Sequence, residues 1–321
     1  MRIFVYEHLT DGGLPQAAIS ESMRREGLAM LEGIASDLRR LPGVEVARLG
    51  EHRGSFDRLA LESDGVLVIA PELDGVLSRL SRRVLDAGGR LLGSAPEPID
   101  AACDKLELAR RLAERRVPCL PTEAYEPGRI PGCGFPAVIK PRRGAGSTGV
   151  RLVRAPEDLL GAAGESGAEL IATQLREGIA ASVLLIAGPR GILPLRAGEQ
   201  VLSDDGAFRY LGGRIPLSPR LEARAKRLAL RAASSIPGLL GFAGVDLVLD
   251  PTGEDSPGDC VVEVNARLTT SYVGLRALAA TNLAEHWLRG IHGEFPAAPE
   301  WRAGGVRFTP DGAVELLGGR A

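Results

Sequence analysis

Phe135-Pro-Ala-Val-Ile-Lys-Pro-Arg-Arg-Gly-Ala-Gly-Ser-Thr-Gly-Val-Arg-Leu-Val153 reads as a strand, a glycine-rich turn and a second strand, with Lys140 closing the first strand. Glycines let backbone N–H groups close around phosphate oxygens, and a neighbouring lysine adds a fixed positive charge. Gly144-Ala-Gly146-Ser147-Thr148-Gly149 also fits G-x-G-x-x-G, the dinucleotide fingerprint. That motif needs a helix directly after it, whose N-terminus meets the pyrophosphate. Here Val150–Val153 continues as a strand and Pro156 follows. A nicotinamide or flavin site is therefore disfavoured, as is a hairpin with no ligand. A hairpin that covers phosphates is the reading carried forward.

With 321 residues, 45% of them hydrophobic, the chain suits two or three compact units. A formal net charge of −2 offers no broad basic field to nucleic acid or an anionic membrane. No apolar run approaches bilayer length, and the first strand begins at Arg2 with no signal-peptide pattern before it. The expectation is a cytoplasmic protein with neither nucleic-acid nor membrane partners. Cys103, Cys119, Cys133 and Cys260 form no C-x-x-C pair and have no clustered histidines, which argues against a zinc site or a disulfide framework.

Residues 1–97 alternate strand and helix: Arg2–Tyr6, a helix over Ser22–Leu41 with Leu28, Leu31, Ile34, Leu38 and Leu41 at helical spacing, Val44–Leu49, the apolar run Gly65–Ala70, a helix over Leu77–Ala87, and Arg90–Gly93. This βαβ alternation predicts a small parallel sheet. Ser94–Pro98 reads as a linker and Asp104–Arg116 as a helix. The unit 98–177 holds the glycine turn, a helix opening at Ala155–Leu160, and a strand over Glu169–Thr173. The unit 178–295 is read as strands Val183–Ala187, Gly191–Leu195 and Glu199–Leu202 and a helix Arg220–Ser235. Strands Gly244–Asp250 and Asp259–Val264 then flank the polar turn Pro251–Gly258, before a last helix Val273–Arg289. Residues 296–321 read as a peripheral tail.

Several constellations carry chemistry. The chain has three lysines, Lys105, Lys140 and Lys226, against abundant arginine, a hint that a compact ammonium is wanted where one is kept. Lys226 lies in an arginine-rich helix and reads as solvated. Glu263-Val-Asn265 places a carboxylate and an amide on one strand face. The preceding strand can return antiparallel and bring Asp246 near them, a set of hard oxygens suited to Mg²⁺ shared with nucleotide phosphates. Arg267 follows directly, with a fork for carboxylate or phosphate, and one of Thr269, Thr270 and Ser271 is expected to cap the last helix. The connector Gln174-Leu175-Arg176-Glu177 has backbone for an adenine edge and a carboxylate for ribose hydroxyls.

In this order the features resemble the ATP-grasp superfamily, over about residues 100–290. The matching residues are Lys105 before a helix, Val138-Ile-Lys140-Pro with the glycine loop, the 174–177 connector, and Gly244-Val-Asp246 with Glu263-Val-Asn265-Ala-Arg267. The resemblance implies an α/β protein in which two α+β lobes clamp ATP behind a Rossmann-like N-terminal domain. Within it, Tyr6-Glu7 with the Gly12-Gly13 loop, Glu26-Gly27-x-x-Met30-Leu31, Gly178–Ser182, Phe208-x-Tyr210-x-Gly-Gly213-x-x-Pro216 and Asn265-x-Arg-x-Thr-Thr-Ser271 are similar to the tyramine–L-glutamate ligases of methanofuran biosynthesis.

That family joins the glutamate γ-carboxyl to an amine, using ATP and Mg²⁺ (or Mn²⁺). The resemblance implies Lys140 and Arg267 as catalytic groups, and Lys105, Lys140, Gly144, Gly146, Ser147, Thr148, Gly149 and residues 174–177 on ATP. It implies Asp246, Glu263 and Asn265 on metal, and Glu7, Ser182, Arg214, Thr269 and Ser271 toward substrates. It implies small-molecule amino acid and amine partners and is compatible with a homodimer. Gln174 departs from the carboxylate common in the superfamily. Gly244 stands where D-alanine–D-alanine ligases carry an arginine, which argues against that activity. A ligase for another amino acid or cofactor tail, and a nucleotide-binding regulator without turnover, are the alternatives.

Overall fold

A computed structural model describes residues 1–12, 20–51, 54–161, 168–252, 258–295 and 297–318. Gly13 of the expected N-terminal loop and residues 253–257 of the expected polar turn lie outside them. The N-terminal unit runs β1 (Arg2–Glu7), α1 (Glu21–Arg39), β2 (Glu45–Ala47), α2 (Phe56–Glu62), β3 (Gly65–Ile69) and α3 (Val76–Asp86). Its three strands are parallel in the order β2-β1-β3. The continuous apolar run of β3 is buried at every position, as a strand covered on both faces requires. The side chain of Ser20 caps α1 by accepting from the Met23 N–H. Leu31, Ile34 and Leu38 then face the core, while Leu28 lies outside the stripe and is exposed.

The expected strand at Arg90–Gly93 is reduced to one bridge between Leu91 and Val66. The expected linker also differs: α4 (Pro96–Cys103) begins inside it, with a proline in its first turn, where a missing N–H costs nothing. Asp104 ends α4 and caps α5 (Lys105–Glu114) by accepting from the Glu107 N–H.

Next comes an antiparallel sheet of β4 (Thr122–Tyr125), β5 (Ala137–Pro141), β6 (Arg151–Val153) and β7 (Leu170–Gln174), ordered β4-β7-β5-β6. The glycine turn joins β5 to β6, so the strand–turn–strand reading holds. The helix expected from Ala155 is a short 3₁₀ segment, Pro156–Gly161.

The remaining elements are β8 (Ile179–Gly188), β9 (Gly191–Leu202), β10 (Tyr210–Ile215), α6 (Pro219–Ala233), β11 (Gly241–Leu249), β12 (Cys260–Asn265), α7 (Ser271–Leu278), α8 (Leu283–Ile291), β13 (Gly305–Phe308) and β14 (Val314–Leu317). Their strands form one antiparallel sheet, β12-β11-β8-β9-β10-β13-β14. Three expectations change here. Gly191–Leu202 is one strand rather than two. The last helix is two, because Asn282 caps α8 by accepting from the Ala284 N–H while its amide donates to the Asp37 carbonyl. The tail is not peripheral. It adds two strands to the sheet, and buried Phe308 packs so close to Gly213 and Gly274 that a Cβ at either would lie 2.7 or 2.4 Å from its ring.

The N-terminal unit is fused to this sheet's helices. Buried Asp37 of α1 accepts from the Tyr272 hydroxyl at 2.7 Å and from Arg276 at 2.8 and 3.0 Å, both on α7. Leu31, Ile34 and Leu38 of α1 share one apolar cluster with Tyr272 and Trp287.

Candidate active site

A cavity of about 610 Å³ opens where the three sheets meet. One wall comes from the carboxyl ends of the parallel strands, the usual ligand position in open α/β sheets. Glu7 ends β1, and Ala70-Pro71 follows β3.

At the opposite wall, Lys140 is the next-to-last residue of β5 and is buried, lining the same cavity as Lys105. Burial lowers its pKa to about 8, against the opposing pull of Glu263 and Asp246. Lys105, the first residue of α5, donates to the Gly144 carbonyl at 2.8 Å and lies 3.8 Å from a Glu263 oxygen. Its placement follows from the cap: Asp104 holds the Arg142 guanidinium at 2.7 and 2.8 Å, so the start of α5 is tied to the start of the glycine turn.

The turn needs left-handed backbone at Gly146 (φ 65°), Ser147 (φ 59°) and Gly149 (φ 70°). Ser147 tolerates this with its hydroxyl donating to the Phe208 carbonyl at 2.8 Å. A Cβ at Gly146 would meet the Met23 sulfur at 3.2 Å, so the tip lies across the cleft against α1. Gly144, Gly146, Ser147 and Thr148 line the cavity; Gly149 serves the turn and packs on Pro141.

β11 and β12 pair so that Asp246 stands opposite Glu263 and Gly244 opposite Asn265. On the other side Asp246 pairs with Ser182 of β8. The Asn265 amide lies 3.3 Å from both an Asp246 and a Glu263 oxygen, and Gln200 of β9 donates to Asp246 at 3.0 Å. Burial and then the Glu263 charge push the Asp246 carboxyl well above its ordinary range. Burial also acts on Glu263, but Lys105 and Lys140 outweigh it and hold that carboxyl low. Two crowded carboxylates with an amide, facing two ammonium groups, form a set of hard donors that fits Mg²⁺ beside phosphate. Among the described residues no third carboxylate, histidine or cysteine joins them.

Arg267 sits on the same cavity, and its guanidinium is held by buried Glu72, with Nε 2.9 Å from each carboxylate oxygen and Nη2 at 2.8 Å. Burial opposes its charge, but the Glu72 carboxylate more than compensates and lifts the pKa above the usual arginine range. Thr270 begins α7, yet makes no side-chain cap; its hydroxyl instead donates to the Glu26 carboxylate of α1. Thr269 and Ser271 bond each other at 2.9 Å, so Thr270 holds the N-cap position as expected of one of the three, but no hydroxyl among them caps a backbone N–H. A Cβ at Gly244 would lie 2.4 Å from Thr269, which explains why an arginine-like side chain has no room there.

The connector Gln174–Glu177 lines the far end together with Leu120, Val138, Val248 and Val262, an apolar slot beside polar backbone. Glu7, Ser182, Thr269 and Ser271 also reach the cavity. Arg214 does not: it is exposed on β10 and lines a separate hollow with Glu199 and Pro216. Sequence reasoning missed Glu72, Gln200, and Glu26 as a cavity group. Glu72 had a signal, because it directly follows a buried parallel strand and Pro71.

An ATP-grasp domain model matches residues 102–271, and a pre-ATP-grasp domain model matches residues 34–99. The chain is 24% identical over 280 residues to the tyramine–L-glutamate ligase of Methanocaldococcus jannaschii, covering 86% of this chain and 78% of that one. It is 30% identical over 118 residues to the ligase of the same name from Methanocaldococcus fervens, covering 37% and 36%. Among solved structures, a protein from Archaeoglobus fulgidus assigned to the ATP-grasp superfamily matches with TM-score 0.72, 25% identity and coverage of 96% and 92%. The fold is also shared with N5-carboxyaminoimidazole synthase from Aspergillus clavatus, solved with ADP and its ribonucleotide (TM-score 0.70, 16% identity, coverage of 96% and 81%).

Proposed function

The chain belongs to the ATP-grasp family, as an ADP-forming ligase that makes C–N bonds, and from that premise we propose that it joins the γ-carboxyl of L-glutamate to the amine of tyramine through an acyl phosphate. The observation that carries the reading is the convergence, in one cleft, of Lys105, Lys140 and the glycine turn with the facing pair Asp246 and Glu263. The named relative supports the substrate pair.

In this reading the connector and its apolar slot hold adenosine, and the turn covers the phosphates between the two lysines. Asp246, Glu263 and Asn265 would hold Mg²⁺, which when bound neutralises phosphate charge. A glutamate carboxylate oxygen attacks the γ-phosphorus, the bond from phosphorus to the bridging oxygen breaks, and ADP leaves with that electron pair. The amine nitrogen then attacks the carbonyl carbon, and the C–O bond to phosphate breaks. The ammonium gives one proton to solvent before its nitrogen attacks and a second to the departing phosphate, which leaves with the electron pair. Phosphoryl transfer of this kind rests on positioning and charge neutralisation, which Lys105 and Lys140 supply without forming bonds to substrate. Arg267, oriented by Glu72, turns its remaining N–H groups toward the acyl phosphate. The closed turn keeps water from that intermediate.

Glutamate labelled with ¹⁸O in its γ-carboxylate tests the sequence of bonds. Label appearing in released phosphate, together with γ-glutamyltyramine in the product, supports it; unlabelled phosphate refutes the acyl phosphate.

A further inference from the structure

We propose that the N-terminal end of the cleft is the acceptor-amine subsite, in which Glu7, assisted by Glu26, receives a primary ammonium carried on an apolar body. The assignment rests on the ligase reading and extends it to the residues that choose the amine. The lysines, the turn and the metal-binding set all lie on the other two lobes and face the nucleotide. The N-terminal unit adds a distinct wall of Leu9, Met23, Met30 and Ile69 around the carboxylates of Glu7 and Glu26, and among the described residues it contributes no cation to the cavity. Arg267 is the cation whose charge reaches Glu26, and it is already matched by the closer Glu72 carboxylate at 2.8 Å.

Glu7 has the marks of a group that awaits a ligand. It is 1% exposed and lines the cavity. Its Oε2 accepts from the Thr10 N–H and hydroxyl, both at 2.8 Å, but its Oε1 has no hydrogen-bond partner. A buried carboxylate oxygen without a donor is costly, and an ammonium N–H satisfies it. The Thr10 bonds fix the carboxylate's orientation from behind. Gly27 of α1 admits it: a Cβ there would come within 2.6 Å of the carboxylate. Glu26, the adjacent residue, is held by the Thr270 hydroxyl at the start of α7, so the second carboxylate is also positioned. Unbranched methionines beside these charges give an adaptable apolar surface for an aryl or alkyl group. A second carboxylate substrate is excluded here by charge, so amino acids are poor acceptors and simple amines good ones.

The test is calorimetric titration of the full chain with tyramine, phenethylamine and hexylamine, and with 3-(4-hydroxyphenyl)propionate, which replaces the ammonium by a carboxylate. The amines are expected to bind and the propionate not. Glu7→Gln is expected to weaken amine binding at least tenfold, and Glu26→Gln reads the same subsite should the first variant fail to fold. Equal amine affinity in a folded variant, binding of the propionate as tightly as tyramine, or no binding of any amine would overturn the subsite. Loss of L-glutamate affinity in place of amine affinity would also overturn it, because the ammonium held there would then be that of the carboxylate substrate. A protein that binds tyramine through Glu7 but forms no amide keeps the subsite and loses the ligase reading. One that forms amide with unchanged amine affinity in Glu7→Gln does the reverse.

Discussion

Replacing Glu72 by alanine would strand the Arg267 guanidinium in the wall of the cleft. The pair joins the N-terminal unit to the strand end that carries Glu263 and Asn265, across 195 residues of sequence. The two side chains are 4% and 14% exposed, so the charge left behind has little water to turn to. One hydrogen bond to the Leu268 carbonyl at 3.1 Å remains to it. Breaking a buried pair from one side typically costs about 3–5 kcal/mol, because the unpaired charge stays buried. Against a total stability of roughly 5–15 kcal/mol this is a large share. At about 2–4 °C per kcal/mol, a fall in Tm of roughly 6–20 °C is expected. Arg267→Met alone leaves Glu72 unpaired and should cost a similar amount, whereas Glu72→Ala with Arg267→Met removes both charges and should recover most of the loss. Denaturant unfolding of the four proteins forms a double-mutant cycle. A coupling energy below about 0.5 kcal/mol, with the double variant simply additive, would refute the account of Arg267 as a residue positioned by the N-terminal unit.

Other perturbations follow from the same geometry. Burial is the main cause that raises the Glu7 pKa from 4.5 to about 7, with Asp11 adding to it and Thr10 opposing, and Glu26 faces the same end of the cavity. The stability tied to this group is complete below pH 4.5 and is lost as pH rises through 7, by up to about 3 kcal/mol at 1.36 kcal/mol per unit. Glu7→Gln should therefore raise Tm at pH 8 and change it little at pH 4, and a gain independent of pH would contradict this. Gly27→Ala sets about 1 kcal/mol of helix propensity against overpacking of roughly 1–3 kcal/mol on the Glu7 carboxylate, so net destabilisation is expected in thermal unfolding. Lys140→Ala and Glu263→Gln should each lower ADP-forming turnover by about 10²–10³, the usual effect of losing one preorganised charge; near-normal rates would remove them from the site.

The glycine turn and the Glu263-Val-Asn265 pattern were legible because each is local. Glycine spacing marks the turn, and period two puts Glu263 and Asn265 on one face. What local pattern could not supply was register. Asp246 meets Glu263 directly only because the bulge in the pairing falls after Asp246, between it and Leu247. Glu72 and Gln200 were hidden for a related reason, since each is a lone polar residue whose partner lies on a distant element, and Glu26, quoted within a family pattern, takes its place in the cavity only through Thr270. The tail was misread because its two short strands are set among prolines and glycines that look like loop. Phe308 acquires meaning only against Gly213 and Gly274, which leave room for its ring. Arg214 shows the converse: it stands two residues from Gly212, where the register of β10 shifts, and its exposed face points away from the cleft.

The most direct test of the account is ADP release by the whole chain with ATP and Mg²⁺, presented with single amino acids and with hydroxylamine as a small amine. L-Glutamate is expected to start ADP formation and to give an equal amount of hydroxamate, and tyramine to replace hydroxylamine and give the amide. Nucleotide binding with no ADP or hydroxamate formed from any amino acid would contradict it and leave a nucleotide-binding protein that does not turn over.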